Sequence, residues 1–297
     1  MSTVPFSVVA PDPGTPVILS GSSTLGHWRL QEVLGRGRWT TVYRAAPAEL
    51  PFNQPGDYAI KVASGQDDRR ARWLLQAEAA AGSRVSHPHV VPVLAWQHEG
   101  PRPYLVMPYL PGVTLRRQID AGGPIPARFV AWWVRQVAEG IAALHAAGWL
   151  HGDIKPENVM INAAGHATVI DLGFVQPIDA APGSGGLMGT PAYAAPERLG
   201  KHPTCSPASD VYSLGCMAWE MLTGQPLGAS QKGRAHRRQL EQAGWSDPTV
   251  SRFFDRLLDG MLAVSPTSRP SLTTVIDDLC GWELETLARE WSDGESP

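Results

Sequence analysis

His151-Gly152-Asp153-Ile154-Lys155-Pro156-Glu157-Asn158-Val159-Met160 is the most informative segment of the chain. Asp153 and Asn158 stand five residues apart on a loop that Pro156 stiffens by locking its own φ. Eighteen residues after Asp153 comes Val169-Ile170-Asp171-Leu172-Gly173, an apolar strand that ends on a carboxylate at a glycine turn. Asn158 and Asp171 can therefore supply oxygen ligands to Mg2+, which favours octahedral oxygen coordination shared with nucleotide phosphates. Asp153 is left to accept a proton or to orient a hydroxyl. The alternative is a set of turn caps, and the ordered company of further motifs weighs against it.

That company begins toward the N-terminus. Gly35-Arg36-Gly37-Arg38-Trp39-Thr40-Thr41-Val42 lies between two strand-like runs. Glycines there allow backbone N–H groups close to phosphates, although an ordinary hairpin turn has the same pattern. Twenty-four residues after Gly37, Ala59-Ile60-Lys61-Val62 places one lysine in an apolar strand. A buried lysine requires an anionic partner. Glu78, on the next predicted helix, is the candidate; a surface Lys and a surface Glu are the alternative.

Taken in order, these motifs resemble the eukaryotic-like (Hanks-type) serine/threonine protein kinase family of bacterial type, over about residues 27–285. The resemblance implies an α+β, protein-kinase-like two-lobed fold. A small antiparallel β-rich N-lobe with one helix precedes a larger, mainly helical C-lobe. It implies that Gly35, Gly37 and Val42 cover ATP, that Lys61 holds its α/β-phosphates and that Glu78 is the ion-pair partner. Tyr104-Leu105-Val106-Met107-Pro108-Tyr109-Leu110 looks like the gatekeeper Met107 and a hinge meeting adenine through Pro108, Tyr109 and Leu110. Asp153 matches the catalytic Asp, and Asn158 and Asp171 match ligands to Mg2+, with Mn2+ as the alternative ion. Lys155 matches the lysine that neutralises charge on the transferring phosphoryl group. Gly189-Thr190 and Ala195-Pro196-Glu197 resemble the protein-substrate platform. Asp210 resembles a helix-start Asp bracing the catalytic loop, and Arg269 the partner of Glu197.

Three positions depart from the family pattern. Thr40 stands at the third loop glycine, Leu172 at the phenylalanine of Asp-Phe-Gly, and Gly152 at the arginine that normally reads an activation-loop phosphate. The last departure predicts a kinase that does not require that phosphate. His-Gly-Asp is shared with small-molecule (aminoglycoside and choline) phosphotransferases, but Lys155 and the platform argue for a protein kinase. A pseudokinase, a kinase-shaped binding module, is the third class. Retention of Lys61, Glu78, Asp153, Asn158 and Asp171 argues against it.

The rest of the sequence sets the frame. The chain has 297 residues, 43% hydrophobic and 18% charged, with a net charge of −3. This composition is globular, and its charge offers no footprint for nucleic acid. Three cysteines without a CxxC pair suggest neither a disulfide framework nor a zinc site, and fit a cytoplasmic protein. Phe129 to Leu150 is broken by charge and predicts an amphipathic or buried helix, not a span.

Residues 1–26 are expected to be a flexible tail, and 286–297 a C-terminal one. Between them lie an N-lobe of about 27–110 and a C-lobe of about 111–285. Strands are expected over 28–36, 40–46, 57–63, 92–97 and 103–108. Helices are expected over 67–82, where acidic residues cap the start, and over 126–148, 208–223, 250–263 and 270–290. The eleven Trp should be mainly core or lobe contacts. Val159 and Met160 should lie beneath adenine or in the core. His87-Pro88-His89 suggests a structural turn more than a metal pair, and the basic run Lys232 to Arg238 a solvated face more than a docking site. Expected partners are ATP and Ser/Thr-bearing proteins. No sensor domain is evident, which points to regulation by a partner protein, the short tail or expression.

Overall fold

The computed structural model describes residues 18–64, 69–122, 124–180, 189–227 and 248–292. The N-terminal lobe is one antiparallel sheet of six strands. These are β1 (Ile18–Leu25), β2 (Trp28–Arg36), β3 (Thr40–Pro47), β4 (Tyr58–Ala63), β5 (Ala95–Gln97) and β6 (Tyr104–Pro108), in the order β1-β2-β3-β4-β6-β5. Helix α1 (Arg69–Gly82) packs on it.

Period-2 alternation on β4 decides where Lys61 points. Ile60 and Val62 pack with Ala45 and Val106 on one face, whereas Ala63 packs with Ala71, Leu75 and Ala79 of α1 on the other. Ala59 faces the cleft with Met107 and Val91. Lys61 shares the parity of Ala59 and Ala63, so it emerges between helix and cleft.

One expectation is corrected here. Residues 18–25 are a strand, not a tail, paired with β2 through Ser23↔Leu30, Thr24↔Arg29 and Leu25↔Trp28. Ser/Gly-rich sequence hides such an edge strand because main-chain pairing needs no apolar alternation. Of the Trp residues, Trp133, Trp219 and Trp282 are buried and Trp28, Trp39 and Trp149 pack partly buried against apolar clusters, as expected, while Trp73, Trp96, Trp132 and Trp291 are exposed.

The second lobe is built on α2 (Leu115–Gly122), α3 (Ala127–Ala146), α4 (Pro207–Thr223), α5 (Pro248–Met261) and α6 (Leu272–Ser292). Helix α2 was not anticipated, being only eight residues long. Helix α4 starts on a reciprocal Ser206/Ser209 capping box with Pro207 in its first turn, and ends at left-handed Gly224. Every residue from Ser209 to Leu222 is buried, so α4 is the hub of this lobe. The charges of α3 are answered by neighbours: Arg135 pairs with Glu139 at 2.7 Å and with Glu283 of α6 at 3.0 Å. No helix among the described residues is long and apolar enough to cross a membrane.

Short strands carry the interlobe chemistry. They are β7 (Val113–Thr114), β8 (Trp149–Leu150), β9 (Val159–Ile161), β10 (Ala167–Val169) and β11 (Gln176–Pro177), forming sheets β10-β9-β7 and β11-β8. The β9–β10 pair sets Val159 opposite Val169, and Ile170 N donates to Asn158 O at 2.8 Å. Asn158 and Asp171 are thereby brought to the same end of one hairpin. Asp67 and Asp68, most of the stretch 1–26, the basic run Lys232 to Arg238, and residues 181–188 with Ser184 lie outside the described residues.

Candidate active site

Lys61 is 5% exposed and bridges two carboxylates. Its Nζ donates to Glu78 Oε2 at 2.6 Å and to Asp171 Oδ1 at 2.5 Å. The other Glu78 oxygen accepts from Leu172 N at 3.1 Å, which ties α1 to the turn after β10. Asp171 holds φ at 63°, and its Oδ1 also accepts from Gly173 N at 3.1 Å. Such a backbone costs energy for a non-glycine residue and aims the carboxylate into the cleft.

Burial opposes every charge in this cluster. For Lys61 the two carboxylates outweigh it, and the pKa is raised. Asp171 has 38% of its side chain exposed, and Lys61 holds its carboxyl at about 2 against desolvation. Glu78 is pushed upward by burial, which outweighs its share of the single ammonium.

Asp153 is 3% exposed, with each carboxylate oxygen engaged. Oδ1 accepts from Thr190 N at 2.7 Å, while Oδ2 lies 2.7 Å from Lys155 Nζ. Lys155 also donates to Thr190 Oγ1 at 2.7 Å, so one lysine links the loop carboxylate to the platform hydroxyl. Asn158 Nδ2 donates to Asp153 O at 2.8 Å, which presents the amide oxygen as the remaining acceptor. From α4, Asp210 accepts from the amides of His151 and Gly152, each at 2.9 Å, and from His145 Nε2 at 2.8 Å. Burial would raise the Asp210 carboxyl, but this cage holds it below the usual range.

An apolar slot lies between the lobes. Ala59, Val91 and Met107 pack with half-buried Val42, Leu110 and Ile170. Tyr109 is turned away from it: its amide donates to Asp57 O at 2.8 Å and its ring lies 4.2 Å from the Arg44 guanidinium. Above the slot, Gly37 N donates to Thr40 O at 2.8 Å and closes the β2–β3 turn. Trp39 of that turn meets Phe174 edge to face at 6.2 Å.

The platform is anchored from below. Arg269 forks onto Glu197 at 2.7 and 2.8 Å, and Ser209 Oγ donates to Glu197 Oε1 at 2.7 Å. Tyr193 donates to Glu220 at 2.5 Å, and Arg116 reaches both Glu220 and Tyr193 at 2.8 Å.

The structure thus gathers Lys61, Glu78 and Asp171 in one cluster, and Asp153, Lys155, Asn158 and Thr190 in a second. Val42, Met107 and Leu110 line the slot, Gly35 pairs with Val42 and Gly37 closes the turn beyond it, while Asp210 braces the catalytic loop and Arg269 braces Glu197 of the platform. Val159 is core, and Met160 lines a cavity of about 440 Å³ with the slot residue Leu110 and with Pro111 and His166. His89 Nδ1 bonds to Ala167 O at 2.8 Å, and Val169 N donates to His89 O, as suits a structural turn. Sequence reasoning missed Ala59, Val91 and Ile170 as slot walls; the parity of β4 around Lys61 would have found Ala59. The Arg198 side chain is buried against the catalytic loop.

Comparison with known proteins identifies the family. The profile described as protein kinase domain matches residues 28–279. Serine/threonine-protein kinase PknL of Mycobacterium tuberculosis H37Rv is 32% identical over 288 residues, covering 93% of this chain and 69% of that protein. The probable serine/threonine-protein kinase pknA2 of Bifidobacterium longum is 35% identical over 207 residues, 67% of this chain and 27% of its own length. PkaA of Streptomyces coelicolor, also a serine/threonine-protein kinase, is 33% identical over 258 residues, 82% of this chain and 47% of its own.

Proposed function

The chain belongs to the protein kinase domain family, and we propose that it transfers the γ-phosphoryl group of Mg-ATP to serine and threonine hydroxyls of protein substrates. The observation that carries this is the contact of Lys155 with both Asp153 and Thr190 at 2.7 Å, beside the Lys61–Asp171 pair. Relatives whose names specify serine and threonine support the acceptor class.

In this mechanism adenine enters the slot of Val42, Ala59, Met107, Leu110 and Ile170, and meets the Pro108 carbonyl and the Leu110 amide. Gly35 and Gly37 cover the phosphates, and Lys61, positioned by Glu78, binds the α/β-phosphates. Asn158 and Asp171 offer only oxygen to a cation, which fits Mg2+ and also admits Mn2+. The bound ion would neutralise phosphate charge. Asp153 orients the acceptor hydroxyl and takes its proton, and Lys155 stabilises charge on the moving phosphoryl group. Thr190 positions the acceptor peptide against that pair. Gly152 offers no cation to an activation-loop phosphate, so activity does not require one. Regulation by a partner protein fits this arrangement.

The test is direct. Purified protein with Mg-ATP and a generic basic protein should yield phosphoserine and phosphothreonine by mass spectrometry. Nucleotide binding without any transfer would instead identify a binding module. Turnover of an aminoglycoside or choline, with none of a protein, would identify a small-molecule kinase.

A further inference from the structure

We infer that Arg198 is a positioning residue for the reaction: it supplies from within the chain the cation that fixes the catalytic loop, in the place where position 152 carries none. Gly152 holds φ at 77°, and a Cβ there would lie 2.8 Å from the carbonyl oxygen of Phe174. A side chain at 152 would be strained by the backbone conformation and would require the Phe174 carbonyl to shift. The same imagined Cβ lies only 3.8 Å from Arg198 Nη2. The guanidinium therefore reaches from the opposite side into the volume that a side chain at 152 would enter.

Arg198 is 6% exposed, and its Nη1 donates to Gly152 O at 2.5 Å. This carbonyl belongs to the rigid peptide unit that joins Gly152 to Asp153. The preceding peptide unit is held by its N–H, which donates to Asp210 Oδ1 at 2.9 Å. An anion thus clamps one side of Gly152 and a cation the other, and Asp153 follows directly. Gly189, at φ 105°, completes the enclosure, because a Cβ there would lie 2.7 Å from the same Gly152 oxygen.

Arg198 is itself fixed. It closes the short turn Pro196–Arg198. The preceding residue, Glu197, is locked by the Arg269 fork and by Ser209. Glu197 therefore faces the body of the lobe while Arg198 faces the catalytic loop. A charge-assisted bond from a preorganised guanidinium does what a phosphate–arginine pair would otherwise do, with no modification needed.

Arg198 has this role only if the chain is a kinase as proposed above, so the wild-type protein is the first control. Full-length Arg198→Ala, Arg198→Lys and Arg198→Gln are compared with it by steady-state kinetics and thermal melts. Arg198→Ala should lower kcat about 30-fold while KM for ATP stays within about twofold, because the nucleotide contacts lie elsewhere. Arg198→Lys should recover at least about a third of the loss on a logarithmic scale, and millimolar methylguanidinium should raise kcat of Arg198→Ala at least about fivefold. A kcat of Arg198→Ala within about twofold of wild type overturns the inference. So does a loss that neither lysine nor methylguanidinium relieves and that tracks the melting temperature. If the alanine variant does not fold, neutral Arg198→Gln decides: a kcat reduced about tenfold in a folded protein supports the role, and wild-type kcat overturns it. Wild-type protein that transfers no phosphate would overturn the kinase assignment instead.

Discussion

Lys61 Nζ and Asp171 Oδ1 lie 2.5 Å apart although 110 residues separate them in the chain. The lysine stands on the sheet of one lobe and the carboxylate on the turn after a strand of the other. Glu78 joins the same ammonium at 2.6 Å, so α1 is held in register with both. Charge pairing across the cleft therefore depends on the correct docking of the two lobes.

Lys61→Met and Asp171→Ala should each reduce phosphoryl transfer by at least about a thousandfold, read by incorporation of labelled phosphate. Their effects on stability should differ. Lys61→Met leaves Glu78 buried without its cation and should cost about 3 kcal/mol in denaturant titrations, unless Glu78 takes up a proton. Asp171→Ala should cost distinctly less, because its side chain is 38% exposed and solvent screens the charge.

Asp210 links stability to pH. Its carboxyl is held below the ordinary value of 3.8 despite burial, through His145 and the amides of the catalytic loop. The folded state thus binds this proton more weakly than the unfolded state. The stabilisation is complete above the unfolded pKa and is lost as pH falls through the folded one. Melting temperature should accordingly be level in this contribution above about pH 5 and drop below about pH 4. Asp210→Asn should melt lower at neutral pH, by about 2 kcal/mol, and show a shallower acid limb.

Phosphatase treatment or Ser184→Ala should change kcat by less than about threefold, or ~0.7 kcal/mol of barrier. Gly152 carries no side chain, and Arg198 is already committed to Gly152 O. A hundredfold fall on dephosphorylation, restored by rephosphorylating Ser184, would contradict this expectation. Thr190 must be left intact in such a test, since its amide and hydroxyl contact Asp153 and Lys155.

The Arg269 fork on Glu197 is bidentate and its side chain is fully buried. Arg269→Lys keeps the charge but cannot reproduce two parallel bonds, nor those to the carbonyls of Ala208 and Ala263. A loss of about 2–4 kcal/mol in urea unfolding is expected. A loss under about 0.5 kcal/mol would show that the fork contributes little.

Much of this protein was legible in its linear order because its chemistry sits in short contiguous motifs. Asp153, Lys155 and Asn158 share one loop, and local geometry governs them once Pro156 and the β9–β10 pairing are in place. The parity of β4, the helical periods and the glycine turns are equally local, so the two-lobed α+β architecture could be expected from them. Three features could not. β1 has no apolar alternation; it pairs with β2 through the main chain and adds Leu25 to the apolar cluster that Trp28 and Leu30 join. The low pKa of Asp171 depends on a lysine brought in from the other lobe. Arg198 lies 46 residues from the carbonyl it holds. Its role follows from the positive φ of Gly152 and from the turn that Glu197 and Arg269 anchor. A guanidinium can span that distance only after folding has closed the chain. The motif therefore names the missing arginine, but packing alone supplies its substitute.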